Sequence, residues 1–184
     1  MNNNKTEKDL WVEMSIREIW TQAHFGGIAY SHIDPKARSG NDAVFSSIHS
    51  FLSHCAIISK MLKAVDNANP ASAIGDVLGI PEESLVHRRK FRNGLEHYDK
   101  EIKRWIQQYG VNANIGTYNI GPKNMIQIPN MVFVSHYDPN NQIFTFVNKD
   151  FDLGAMYSEI QRIKSIADSW VSGMENGRIK PPFI

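Results

Sequence analysis

Cysteine is nearly absent: Cys55 is the only one in 184 residues. No disulfide can close within the chain, and a reducing compartment, the cytoplasm, is the expected setting. Long apolar runs are missing too. Nothing approaches the roughly 20 residues that a bilayer-spanning helix needs, and the opening MNNNKTEKDLW has no basic-then-apolar order, so neither membrane insertion nor a secretion signal is expected. Net charge is small, since 20 Lys and Arg stand against 19 Asp and Glu. The resulting +1 gives no overall basic field, and any contact with nucleic acid must come from a local patch. Several motifs are lacking as well: the phosphate loop G-x-x-x-x-G-K-S/T, the dinucleotide turn G-x-G-x-x-G, the nucleophile elbow G-x-S-x-G and any cluster of metal ligands. Those absences favour metal-free acid–base chemistry or no catalysis, with no cofactor and no metal site.

What is present suits one mainly α-helical domain over residues 1–184, with 42% hydrophobic composition and a β-rich insertion at 111–150. The Asn2 to Asn4 run reads as a disordered tip. A first helix is expected from Thr6, its cap, to about Ser31, with Leu10, Met14, Ile16, Ile19, Trp20 and His24 at helical steps. Gly26-Gly27 are expected to loosen its last turns, and Trp11 and Trp20 read as core or interface aromatics. Asn41 or Asp42 is positioned to cap a second helix reaching about Val65, whose apolar positions from Val44 to Leu62 place it deep in a bundle. His49 and His54 on that helix are five apart with no acid between, unlike the four-residue spacing of helical metal ligands, so they read as hydrogen-bonded or surface histidines. Cys55 reads as a buried small hydrophobe. Asp66 to Pro70 is expected as a polar turn and Ala71 to Leu78 as a short helix.

After Gly110 the composition turns β-like. Ile115 to Tyr118, Met125 to Ile128, Met131 to Tyr137 and Gln142 to Val147 are expected strands, the last two forming a hairpin around Asp138 to Asn141. Val132, Val134, Ile143, Thr145 and Val147 would bury one face, leaving His136 on the surface, and the hairpin would close a hydrophobic edge. Asp152 is placed to cap a last helix from about Leu153 to Met174. The tail from Gly177 to Ile184 reads as extended.

Most of the recognisable chemistry lies between Pro81 and Tyr109, which read as one long helix that starts at Gly79-Ile80-Pro81, carries Glu82 and Glu83 at its positive end and stops at Gly110. Leu85, Leu95, Ile102, Ile106 and Tyr109 form an apolar stripe with Arg92 on it. The first two long helices would pack against this one. Five of the six positions His87 to Arg92 are cationic or can become so, which makes Arg88, Arg89 and Lys90 either a phosphate-attracting rim or a plain exposed basic turn. Arg92 has two candidate partners, Glu96 one turn on or a phosphate. Gly94, at a cost of about 1 kcal/mol in a helix, points to a bend or to the close approach of another backbone.

The segment Phe91-Arg92-Asn93-Gly94-Leu95-Glu96-His97-Tyr98-Asp99, followed by Trp105, resembles the signature of the HEPN superfamily: an arginine, commonly followed by a polar residue, four to six residues ahead of a histidine. Arg92, Asn93 and His97 match it term by term over a likeness that covers the first two-thirds of the chain. The resemblance implies a helical domain that forms a homodimer in which two motifs face each other; with the pattern read above, the expected fold is a HEPN-like up-and-down helical bundle with a small β-hairpin insertion, outside the motif's reach, before the last helix. In many members that composite cleft is a metal-independent ribonuclease, in toxin–antitoxin or defence settings. RNA or a nucleotide, and an antitoxin or other protein, are the implied partners.

Metal-free RNA cleavage needs a base for the 2′-hydroxyl, an acid for the leaving 5′-oxygen and a cation for the phosphorane. His97 titrates near neutrality and suits either proton role, Arg92 suits the phosphate and Asn93 can orient either. Five residues of helix set Arg92 and His97 about 140° apart around the axis, so a single straight helix does not aim both at one atom, whereas a second copy or a bend at Gly94 would. The alternative reading is a non-catalytic HEPN-like module that binds nucleotide, RNA or protein, with Arg92 and Glu96 as a structural pair.

Overall fold

Thr6 begins the first helix as its sequence context requires. Its hydroxyl accepts from the Asp9 N–H at 3.2 Å while the Asp9 carboxylate accepts from the Thr6 N–H at 2.9 Å, a reciprocal cap. The structure, a computed structural model, describes residues 6–36, 40–66, 69–87, 98–110, 113–125, 128–147 and 149–175. Its α-helices are α1 (Glu7–Ser31), α2 (Gly40–Leu62), α3 (Ile74–Val77), α4 (Tyr98–Tyr109) and α5 (Leu153–Glu175). The chain is mostly helical, with a small β region ahead of the last helix. No helix among the described residues is long and apolar enough to cross a membrane.

The core forms where α1 meets both α2 and α5, the two largest helix interfaces. Val12, Ile16, Ile19 and Ala23 of α1 face Phe51, Leu52, Cys55 and Ile58 of α2 and Ile160, Ile163 and Ala167 of α5 in one buried cluster. Trp11 and Trp20 pack against its edge. Leu10 and Met14, expected in the stripe, lie on the opposite side of α1 and are 52% and 58% exposed. Gly26-Gly27 do not loosen α1. Gly26 is buried, and a Cβ there would stand 3.0 Å from Ile160 Cδ1 and 3.4 Å from His54 Cβ, so the missing side chain lets three helices meet. At the far end, the Asp152 carboxylate accepts from the Ala155 N–H at 2.8 Å and caps α5 as expected.

Several expectations fail for identifiable reasons. Helix α2 begins at Gly40 and ends at Leu62, short of Val65. Asn41 does not cap it but donates from its amide to the Tyr118 carbonyl at 3.1 Å. Val65–Asp66 (β1) pairs antiparallel with Asn69–Ala73 (β2), replacing the front half of the expected helix at Ala71 to Leu78. Pro70 favours extended backbone before it, and α3 starts only at Ile74, where the Asp76 carboxylate accepts from the Ala73 N–H at 3.1 Å.

The long helix expected from Pro81 does not start there. The Pro81 carbonyl accepts from the Ser84 N–H at 3.0 Å in a turn, and Leu85–His87 is a single 3-10 turn. The Ser84 hydroxyl donates to the Glu159 carboxylate of α5, and Val86 is buried, so contacts distant in sequence set this geometry. The helical stop is as expected, with Gly110 at φ +68° and its N–H on the Ile106 carbonyl at 2.9 Å. The residue α4 buries is Trp105, while Ile106 and Tyr109 of the expected stripe are exposed.

The β region contains β3 (Asn114–Gly116), β4 (Asn119–Ile120), β5 (Met131–Phe133), β6 (Ser135–Asp138), β7 (Ile143–Phe146) and β8 (Lys149–Asp152). Strands β3 and β5 pair parallel, and a four-stranded sheet runs in the order β4-β6-β7-β8. Of the expected strand at Met125 to Ile128, Met125 ends the 3-10 turn Lys123–Met125 and Ile128 leads into the Pro129-Asn130 turn, while 126–127 lie outside the described residues. The hairpin is present, with Asp138 opposite Ile143. The Asp138 carboxylate holds its turn through the Asn140 N–H and the Asn141 amide, both at 3.0 Å. Both faces of the hairpin are buried, not the expected one alone: Phe144 and Phe146 turn toward α2, where Phe45 and His49 meet Phe144 at ring-centroid distances of 6.2 and 6.0 Å. The other face is also covered, and His136 and Thr145 there have no exposed surface.

Candidate functional site

Arg88, Arg89, Lys90, Arg92, Asn93 and His97 all fall within 88–97, outside the described residues, as do Leu95 and Glu96. Described is the frame on either side. Upstream, the 3-10 turn is tied to α5 through Ser84 and Glu159. Downstream, α4 begins at Tyr98, the residue bonded to His97. In its first turn the Glu101 carboxylate accepts from Lys149 Nζ of β8 at 2.5 Å and from Arg104 at 3.1 Å. The Lys149 hydrogen bond, against partial burial, holds the Glu101 carboxyl below the usual range. One turn later Trp105 enters the core, and its buried indole N–H meets no acceptor among the described residues.

A second constellation lies on the sheet. Strand pairing sets Asn119 of β4 beside His136 of β6, His136 beside Thr145 of β7, and Thr145 beside Asp150 of β8, a polar row across four strands on one face. Lys123 spans one end, with Nζ 3.0 Å from Asp150 Oδ1 and 3.4 Å from Thr145 Oγ1, and the Thr145 hydroxyl donates to Asp150 at 2.5 Å. His136 is fully buried and lies against Phe133 with ring centroids 4.3 Å apart. Neither of its ring nitrogens has a hydrogen-bond partner among the described residues, and the Asn119 amide nitrogen is likewise buried without one.

Burial pushes the His136 pKa down and Lys123 adds to this, while Asp138, the nearby Gly121 backbone and Asp150 pull the other way. The histidine expected on the surface is thus the most enclosed titratable side chain of the sheet. The signal that could have found it is the hairpin register: once Asp138 is opposite Ile143, His136 falls opposite Thr145, inside the row.

Two clefts among the described residues lie along α1. One of about 330 Å³ between α1 and α2 is lined by Phe25, Ile28, His32, Ser50 and His54 among others. The other, about 300 Å³ at α1 and α5, is lined by Arg17, Trp20, Thr21, Asp168 and Val171. His54 Nδ1 lies 2.7 Å from Gln22 Oε1, and His49 is half-buried against Phe144 and Phe146, in line with an ordinary structural role for both. Burial lowers the pKa of each. Cys55 is buried, and burial pushes its thiol far up, so it is no nucleophile in the folded chain. Among the described residues no group of three or more His, Cys, Asp or Glu side chains is placed to share a metal ion.

The fold defines a mainly helical domain with a small mixed sheet before its last helix. No protein-family model, curated protein or solved structure matches the chain.

Proposed function

We propose that the chain is a HEPN-type, metal-independent endoribonuclease that works as a homodimer in the cytoplasm, in a toxin or defence role, and is held in check by a partner protein. One observation carries this reading. The order Arg92-Asn93, three intervening residues, then His97 matches the HEPN signature, and it stands immediately ahead of α4 in a mostly helical domain, which supports the reading.

The chemistry assigns a role to each residue. One His97 takes the proton from a ribose 2′-hydroxyl as its oxygen attacks the adjacent phosphorus. The bond to the 5′-oxygen breaks, and that oxygen leaves with a proton from the His97 of the second protomer. The products are a 2′,3′-cyclic phosphate and a 5′-hydroxyl. Arg92 holds the non-bridging oxygens as charge builds on them, and Asn93 orients the ribose or the imidazole. Arg88, Arg89 and Lys90 draw the neighbouring phosphates toward the cleft, which matters because the chain as a whole is nearly neutral.

The test is cleavage of a mixed RNA pool in EDTA by the wild type, Arg92→Ala and His97→Ala at matched dimer content. Each substitution is expected to lower the rate by about 100-fold or more, the scale of a lost proton-transfer or charge-stabilising group. Equal rates in all three proteins, or none in any, would leave a helical binding module in which Arg92 has a structural partner.

A further inference from the structure

We propose that the four-stranded sheet is a pH-sensitive latch on helix α4, with His136 as its titrating group and the Lys149–Glu101 pair as its link. The argument begins with geometry. His136 sits second in the row Asn119, His136, Thr145, Asp150, and has no solvent contact. The elements around it present few charges: Lys123 from the 3-10 turn, Asp138 from its own strand and Asp150 from β8. Strands β4 and β7 offer Asn119 and Thr145, which do not titrate here, and β5 offers the Phe133 ring.

Asp150, the anion that an imidazolium would turn to, is already engaged by Lys123 and Thr145. A neutral His136 fits this enclosure. A protonated one is a buried cation near a lysine, and the sheet must loosen to hydrate it.

Strand β8 carries the consequence to α4. Asp150 points to the His136 face and Lys149, one residue back, to the opposite face, where it meets Glu101 at 2.5 Å. Glu101 keeps its charge on mild acidification because its pKa lies below the usual range, so the pair fails only when the strand moves. Helix α4 is then held chiefly by Trp105. Because α4 starts one residue after His97, the latch would govern the cleft proposed above; that consequence alone rests on the nuclease reading, and the latch itself does not.

Hydrogen exchange, corrected for intrinsic rates, tests it at about pH 7 and about pH 5.5, on either side of the ordinary histidine range. In the wild type, peptides of β4 to β8 and of α4 are expected to lose protection about tenfold at the lower pH while those of α1 and α2 keep theirs. His136→Leu should remove most of that difference. Lys149→Met should release α4 at both values and leave the sheet protected, whereas His49→Gln, on the other face of the sheet, should keep most of the wild-type response.

Protection of α4 that is independent of pH in the wild type would overturn the proposal. So would an acid response that is undiminished in His136→Leu or vanishes in His49→Gln, or an α4 that stays protected in Lys149→Met. If His136→Leu does not fold, the imidazole NMR titration of the wild type decides: a His136 that protonates at an ordinary pH without a change in α4 protection contradicts the latch. No arm uses RNA, so the absence of nuclease activity and the absence of a latch give different results.

Discussion

His136 makes the native state sensitive to acid in a direction that can be worked out. Its folded pKa lies below the unfolded value of about 6.5, so the folded protein binds fewer protons. Stability is therefore full above about pH 6.5 and is lost as pH falls toward the depressed folded value. His49 and His54 are shifted the same way, so some slope survives without His136. Urea midpoints at about pH 7 and about pH 5 should fall less in His136→Leu than in the wild type. The leucine should also raise stability at both, by up to about 1–3 kcal/mol, because it removes two buried nitrogens that lack partners among the described residues.

The adjacent glycines of α1 give a sharper contrast. A Cβ at Gly27 would meet only the end of the Gln161 side chain at 3.0 Å, which can swing away. Gly27→Ala should therefore gain stability by about 0.5–1 kcal/mol through helix propensity. At Gly26 the 3.0 Å neighbour is Ile160, fully buried, and crowding of about 1–3 kcal/mol should cancel or exceed that gain. Equal effects at the two sites in a denaturation series would refute the close approach of α1 and α5.

At the level of elements, Asp152 connects the sheet to the last helix, and Asp152→Ala should cost about 1 kcal/mol by thermal or urea unfolding, with Thr6→Ala similar at α1. No change in either would mean that neighbouring contacts hold those helix ends. Both caps were legible in the sequence because they rest on residues within three positions of each other. The hairpin was legible for the same reason, through its Asp-Pro-Asn-Asn turn.

Its register was not. The turn extends to Gln142 at φ +56°, and Val147 at φ +47° breaks the alternation, neither of which composition announces. The helix expected from Pro81 failed on a hydrogen bond that spans 75 residues, Ser84 to Glu159, which no local pattern encodes. His136 was misplaced because a polar residue in a strand reads as solvent-facing unless a second layer, here Phe133 and the Lys123–Met125 turn, covers that side. The six candidate site residues stand outside the described stretches, so the sequence remains their whole basis.

The described residues form a three-helix core, α1 between α2 and α5, with the sheet packed on α2 and tied by the Lys149–Glu101 ion pair to α4, which stands just after the motif. Such an arrangement separates duties: the core supplies stability, and the lightly attached α4 is free to respond to a second copy, to RNA or to pH. With a net charge of +1, RNA capture must depend on the basic run at 87–92, so cleavage should fall with rising salt, and Arg88→Ala with Lys90→Ala should flatten that dependence without abolishing turnover.

The decisive measurement is the chemistry of the RNA ends produced in EDTA. Wild-type protein should leave 2′,3′-cyclic phosphates and 5′-hydroxyls, and His97→Ala should leave neither. Ends of another kind, or the same ends from His97→Ala, would contradict a metal-independent Arg92/His97 cleft.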